Sequence, residues 1–408
     1  MELGKKILLV FSELPYPARL NGISIRYAPI ITELARRHDV HVAIIVRPDE
    51  SRYPEGLDLI CKSVEIFRRG RVQASLAQRI STRVAKCFSS DVPYPLYSYD
   101  NAEIERFLRT ADGARAYDSI VWVGSMHLEI GIKVFGGQRI VHDAIDSLYH
   151  GHLRKRQRSL FHSIDGAKIA AWERHLIRVT GGTSFVSRID AELFVGDSTL
   201  ARKVAVFPNG VFLGDFASSH GAAANDGVVT LGFLGHMGYQ PNIEAALRLS
   251  RIFAAARASD PGFRLLIIGR DPAPEVLALA EKEGVEVTGS VADIWEYIAK
   301  VDIFVFPMVS GAGQQNKVLE AMYGGKAVVC NSLANSGIGA LDDTHLLIRK
   351  ADDEFVAAIL GLKRSPEDRL RIAQGGAEFV REKYSWEKII PLVEQFWLSA
   401  KPAAAARG

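Results

Sequence analysis

Residues 302–322 read DIFVFPMVSGAGQQNKVLEAM, from Asp302 to Met322. Asp302 to Phe306 is a short apolar run without polar alternation, the pattern of a strand covered on both faces and hence of a parallel sheet. Pro307 stops it. Gly311 and Gly313 then let the backbone come close to a ligand, and a helix-forming segment starts near Gln315. A strand, a glycine-rich turn and a helix make one unit of a doubly wound α/β domain.

The same unit recurs along the chain. Ile7 to Phe11, Val40 to Val46, Ser119 to Val123 and Arg139 to Val141 read as buried strands with helices between them. The alternation resumes at Val228 to Leu234, Phe263 to Ile268, Val285 to Thr288, Asp302 to Phe306 and Ala327 to Val329. Two sets of strands predict two doubly wound, Rossmann-like domains, a comfortable division for 408 residues. Pro208-Asn209-Gly210 is a strong turn signal, and the small, polar stretch SSHGAAANDG follows it. The expected boundaries are therefore 1–210 and 211–384. A helix over 385–400, bearing Trp386 and Trp397, is expected to cross back to the first domain, and 401–408 to be a frayed tail.

Composition narrows the class. With 48% apolar and 24% charged residues, the chain has what a soluble globular protein needs. No run is long enough to span a bilayer. The N-terminal apolar run is too short for a signal peptide and lacks a cleavage site. Three cysteines, Cys61, Cys87 and Cys330, form no close pair and fit neither a disulfide framework nor a zinc site. The expected compartment is the reducing cytoplasm, with no metal. Up to Gly210 the chain holds 30 basic and 23 acidic side chains, and beyond it 20 and 24. A basic front half suggests an anionic partner there, although uneven chance placement gives the same count.

One basic feature is a stripe from Phe67 to Phe88, with six basic residues and no acid. Val72, Leu76, Ile80, Val84 and Phe88 recur every four residues, so a helix there either lies on an anionic membrane or covers the front sheet. HLRKRQR, from His152 to Arg158, adds to the same charge. Neither cluster carries a nucleic-acid recognition motif.

In doubly wound sheets, ligands bind at the carboxyl ends of strands. After Phe306 the glycine loop and Gln314, Gln315 and Asn316 lead into a helix whose free N–H groups attract anions. Lys317 adds a mobile cation in the first turn, and Glu320 stands one turn later on nearly the same face. A carboxylate there can accept both hydroxyl protons of a ribose whose phosphates rest on the helix start. An ordinary glycine-rich turn with a solvated lysine and glutamate reads the same way. A dinucleotide fingerprint is weak here and at Gly337-Ile-Gly339, since the third glycine is missing from both.

These residues carry a resemblance. Leu231 to Ala340, with FLGHMGYQPNIEA, LLIIGRDP, VEVTGSVADIWEYIAKVDIFVFPM, GAGQQNKVLEAMYGGKAVV and NSGIGA, resembles the nucleotide-binding domain of glycosyltransferase family 4. LPYPARLNGISIRYAPIITELARRHDVHV, FVSRIDAELF and FPNGV agree in the front half. The resemblance implies the GT-B fold, two Rossmann-like domains facing across a cleft. It also implies a metal-independent, anomer-retaining transfer from a nucleoside-diphosphate sugar, with that sugar nucleotide as co-substrate and no cofactor. The implied acceptor is an envelope polysaccharide, a lipid-linked sugar or a small molecule.

The resemblance also places residues. Glu320 matches the second acid of the family's paired-acid motif, on the donor ribose; Ala312 stands where the first belongs. The basic pair expected on the diphosphate is matched by His236 and Asn242, neither a standing cation. Gly22, after Asn21, matches a loop that approaches the donor phosphate. His142, read as lying just past a strand end, matches a histidine aimed at the reaction centre, unless it is a structural histidine beside Asp143 or Asp146. Two other readings share the fold: a nucleotide-sugar 2-epimerase, and an inactive sugar-nucleotide binder made conceivable by Ala312.

Overall fold

The computed structural model of the chain describes residues 4–18, 22–68, 70–71, 99–100, 102–153, 160–211, 227–311 and 313–399. Asn21, the stripe from Val72 to Phe88, Cys87, most of the HLRKRQR cluster, the small polar stretch before Gly227, Ala312 and the tail from 401 onward lie outside them.

The chain divides into two units, one of residues up to Pro208 together with those from Ile389 onward, the other Asn209–Lys388. The first holds a seven-stranded sheet. Its order is Ser63–Arg68, Asp39–Val46, Lys6–Phe11, Ser119–Val123, Ile140–Ile145, Gly182–Phe185 and Val204–Val206. Every pairing is parallel. The central strands are buried along nearly their whole length, Ile7 to Phe11 at 0–1% exposure. The unbroken apolar runs in the sequence have this cause: helices cover both faces of the sheet.

The second unit repeats the plan with six strands. Val285–Val287, Phe263–Ile268, Val229–Leu234, Ile303–Phe306, Ala327–Cys330 and Leu347–Ile348 lie side by side in that order. In both sheets the strands nearest the middle run third, second, first, fourth, fifth, sixth in chain order. Strand order therefore reverses between the first and fourth strands, and the loops after those two strands diverge. In the second unit they follow Leu234 and Phe306, which places the glycine-rich loop at the point where α/β sheets take their ligands.

Three differences from the sequence reading have physical reasons. The strand expected to end at Val141 runs on to Ile145, so His142 lies inside it rather than past its end. Asp143 resembles a terminator but is fully buried, because Arg26 in the helix Gly22–Ala35 pairs with it at 3.2 Å. Phe67 and Arg68 end a strand instead of beginning a helix, and Gly70–Arg71 pairs antiparallel with Tyr99–Asp100. The short strands Gly182–Phe185, Val204–Val206 and Leu347–Ile348 carry too few apolar residues to stand out.

The final helix, Trp386–Leu398, belongs to the first unit from Ile389 on. Trp397 is fully buried and stacks on Tyr27 with centroids 6.4 Å apart. Its carbonyl accepts from Ser119 Oγ at 2.6 Å, and Glu394 meets Arg37 at 2.7 Å and His38 at 2.8 Å. Among the described residues, no helix is long and apolar enough to cross a membrane.

Candidate donor site

The helix expected near Gln315 spans Asn316–Tyr323, with Gln315 at its N-cap position. The Gln315 side chain makes no capping bond, so it does not occupy the orphan N–H groups of the first turn. Gly313 has φ +70° and Gly311 φ +128°, conformations that a side chain resists. Gly337 supports the loop from below. A Cβ there would lie 2.8 Å from Gln314 Cα, so Gly337 serves backbone packing, while Gly339 has φ +69° and nothing within 4 Å of a Cβ.

Gln314 reaches across to Asn209. Its amide holds one backbone residue at two points: Asn209 N donates to its Oε1 at 2.9 Å and its Nε2 donates to Asn209 O at 2.8 Å. Asn316 Oδ1 accepts from Asn209 Nδ2 at 3.3 Å. Asn209 was singled out in the sequence only as part of a turn. A bidentate side-chain grip on its backbone leaves no periodic signal.

Lys317 differs most from expectation. It is not a mobile surface cation: it is 9% exposed, its ammonium sits 5.2 Å from the centroid of the Phe233 ring, and Nζ donates to Asn242 Oδ1. Burial pulls its pKa down to about 7. Asn242, itself 6% exposed, donates through Nδ2 to the carbonyl of His236 at 2.9 Å. The two positions matched to the family's basic pair thus have distinct tasks. His236 Nε2 lies 3.1 Å from Asp271 on the open side, and Asn242 holds the cation that Lys317 supplies. Glu320 is half-buried on the same helix as Lys317.

Close backbone approach shapes the neighbouring loop. A Cβ on Gly269 would stand 1.7 Å from the Gly235 carbonyl, and one on Gly235 would stand 2.8 Å from Asn242 Nδ2. Glycine is required at 269 for the loops after Leu234 and Ile268 to touch, and at 235 to leave room for the Asn242 amide. Their positions directly after two apolar strands were the available sequence signal.

In the first unit, Gly22 opens the helix Gly22–Ala35, and a Cβ there would meet nothing within 4 Å. Among the described residues no neighbour demands glycine at that point. His142 is 2% exposed and shares a hydrogen bond of 3.2 Å between Nε2 and Ser125 Oγ. Burial, partly opposed by Asp143, pulls its pKa down to about 4, so the imidazole is neutral at physiological pH. It can give or accept a hydrogen bond but does not act as a standing acid.

The structure thus brings Gly311, Gly313, Gln314, Gln315, Asn316, Lys317, Glu320 and His236 into one unit around two diverging loops, and places Gly22 and His142 in the other unit. Among the described residues no cluster of histidine, cysteine or carboxylates is arranged to hold a metal.

Comparison with known proteins agrees with this architecture. The glycosyl transferases group 1 family matches residues 228–365. No curated protein matches the chain in sequence. Among solved structures, sucrose-phosphate synthase from Thermosynechococcus elongatus is similar at TM-score 0.68 and 15% identity, covering 96% of this chain and 98% of that one. HepE from Anabaena, solved with UDP and glucose, is similar at TM-score 0.65 and 15% identity, over 97% and 100% of the two chains. WaaG, a glycosyltransferase involved in lipopolysaccharide biosynthesis, is similar at TM-score 0.63 and 14% identity, over 97% and 99%. The strand orders of both units and the likeness to these structures converge on the GT-B fold, and the glycine-rich loop at the second sheet's switch point lies within the stretch, residues 228–365, that matches the group 1 glycosyl transferases.

Proposed function

We propose that the chain transfers a sugar from a nucleoside-diphosphate sugar, held by the second unit, to an acceptor held by the first, without a metal and with retention of the anomeric configuration. The observation that carries the donor half is Lys317. A buried lysine in the first turn of a helix, at the switch point of a parallel sheet, is costly unless an anion uses it. As the sugar–phosphate bond breaks, negative charge collects on the leaving diphosphate. The helix start and Lys317 then stabilise the transition state more than the bound donor. HepE, solved with UDP-glucose, supports the donor class.

Glu320 takes the ribose hydroxyls in this reading, and Gly311, Gly313, Gln315 and Asn316 frame the phosphates. His142, neutral and fixed by Ser125, orients a sugar or acceptor hydroxyl by hydrogen bonding. The acceptor is an envelope polysaccharide, a lipid-linked sugar or a small molecule; WaaG's part in lipopolysaccharide biosynthesis supports the first two. Contact with an anionic membrane rests on the basic stripe of the front half, whose residues from Val72 on lie outside the described ones.

Thermal stabilisation by a panel of sugar nucleotides identifies the donor, because binding to the native state raises the melting temperature. Failure of every one to stabilise the protein overturns the reading. Calorimetry with the best ligand then tests Glu320. Hydrogen bonds to a charged group are worth about 1.5–3 kcal/mol, so Glu320→Gln is expected to weaken the nucleoside diphosphate by tenfold or more, by about that energy. Equal affinity in both proteins removes Glu320 from the ribose.

A further inference from the structure

A lysine side chain in a first helical turn ordinarily carries its ammonium out to water. Lys317 does not, and the reason is one neutral residue. The hydrogen-bonding roles leave no choice of orientation for Asn242. An ammonium only donates and a carbonyl only accepts, so the amide must present Oδ1 to Lys317 and Nδ2 to His236 O. The second bond, at 2.9 Å, fastens the amide to the loop after Leu234. Gly235 supplies the space, since its absent Cβ would fall 2.8 Å from Nδ2. Lys317, Asn242, Gly235 and the His236 carbonyl therefore form one interlocked set joining the two loops of the switch point.

We propose that Asn242 is the positioning residue of the donor site: it holds the Lys317 ammonium where the donor's diphosphate arrives, and it does so without a charge of its own. This rests on the donor reading above. The chemistry favours an amide over the alternatives. A carboxylate at 242 would pair with the ammonium and repel the phosphates. An aliphatic side chain would take this partner from the ammonium and leave the His236 carbonyl only the 3.2 Å bond from Tyr239 N. An amide takes one of the three ammonium N–H groups and leaves a full positive charge for the anion.

The test is calorimetric titration of the full chain with the nucleoside diphosphate of the panel's best sugar nucleotide, and with the corresponding nucleoside. Asn242→Asp and Asn242→Ala are each expected to weaken the diphosphate about tenfold or more while changing the nucleoside less than about twofold. A tenfold loss corresponds to about 1.4 kcal/mol. Because both residues act through one ammonium, adding Lys317→Met to either variant should cause little further loss. Melting temperatures show that the compared proteins are folded, and having two variants at 242 keeps the test alive if one fails to fold. Equal losses for both ligands, or losses that add to that of Lys317→Met, would make Asn242 a structural residue and overturn the proposal. If Lys317→Met alone fails to separate diphosphate from nucleoside, the donor-site reading itself falls.

Discussion

Lys317→Met is expected to lower the rate of sugar transfer by about 10²–10³-fold, the range for removal of one preorganised charge-stabilising group. It should weaken nucleoside diphosphate far more than nucleoside. Methionine keeps most of the buried stem, so the loss belongs to the ammonium. Donor hydrolysis in the absence of an acceptor provides the assay. Normal turnover would mean that the phosphates are held elsewhere.

The same burial gives the apo protein a pH signature. With a folded pKa of about 7 against an ordinary lysine value of 10.5, the unfolded chain binds a proton that the folded one declines between those limits. Stability from this group is complete above the upper limit and lost as pH falls toward 7. An anion that keeps Lys317 charged reverses the preference, so bound donor should flatten this dependence.

Arg26→Leu is the substitution expected to damage folding most. Arg26 and Asp143 are 1% and 0% exposed, and their pair is fully enclosed. Burial opposes the guanidinium's charge, and Asp143 and Tyr27 together more than offset that, so the arginine stays charged. Arg26 also donates to the carbonyls of Phe207, at 2.9 Å, and Pro208, at 3.3 Å, which end the first unit. Removing it strands a buried carboxylate, at a cost of about 3–5 kcal/mol. Denaturant unfolding of Arg26→Leu should show that loss, and adding Asp143→Asn should restore part of it. A loss below about 1 kcal/mol would show that water reaches the pair.

Legibility in the sequence followed burial. Ser119–Val123 and Phe263–Ile268 were placed to the residue because every side chain but one in these two strands is buried and most are apolar. Ser63–Arg68, an edge strand carrying Glu65, is mostly half-buried and escaped notice. Gly182–Phe185 escaped for another reason: Thr183 and Ser184 are fully buried polar residues, which no hydropathy pattern reveals. Asp143 shortened a strand on paper because its partner lies 117 residues away.

The glycine-rich loop after Phe306 followed the same logic. Its glycines, helix start and Lys317 lie in one continuous stretch and could be read together. The burial of Lys317 could not, because Asn242 stands 75 residues earlier on another helix. Local chemistry was legible; pairings across the sheet needed the fold.

The central claim is that a buried, half-titrated lysine meets the donor's diphosphate. Proton uptake on binding tests it most directly. The ligand is the intact sugar nucleotide, whose diphosphate has no group titrating near neutral pH. Calorimetry in two buffers of different ionisation enthalpy, about one pH unit above 7, reads the protons exchanged. Lys317 should then be mostly neutral when free and charged when bound, so wild type should take up most of a proton per ligand while Lys317→Met takes up almost none. Zero uptake by the wild type, or equal uptake by both proteins, would contradict the account.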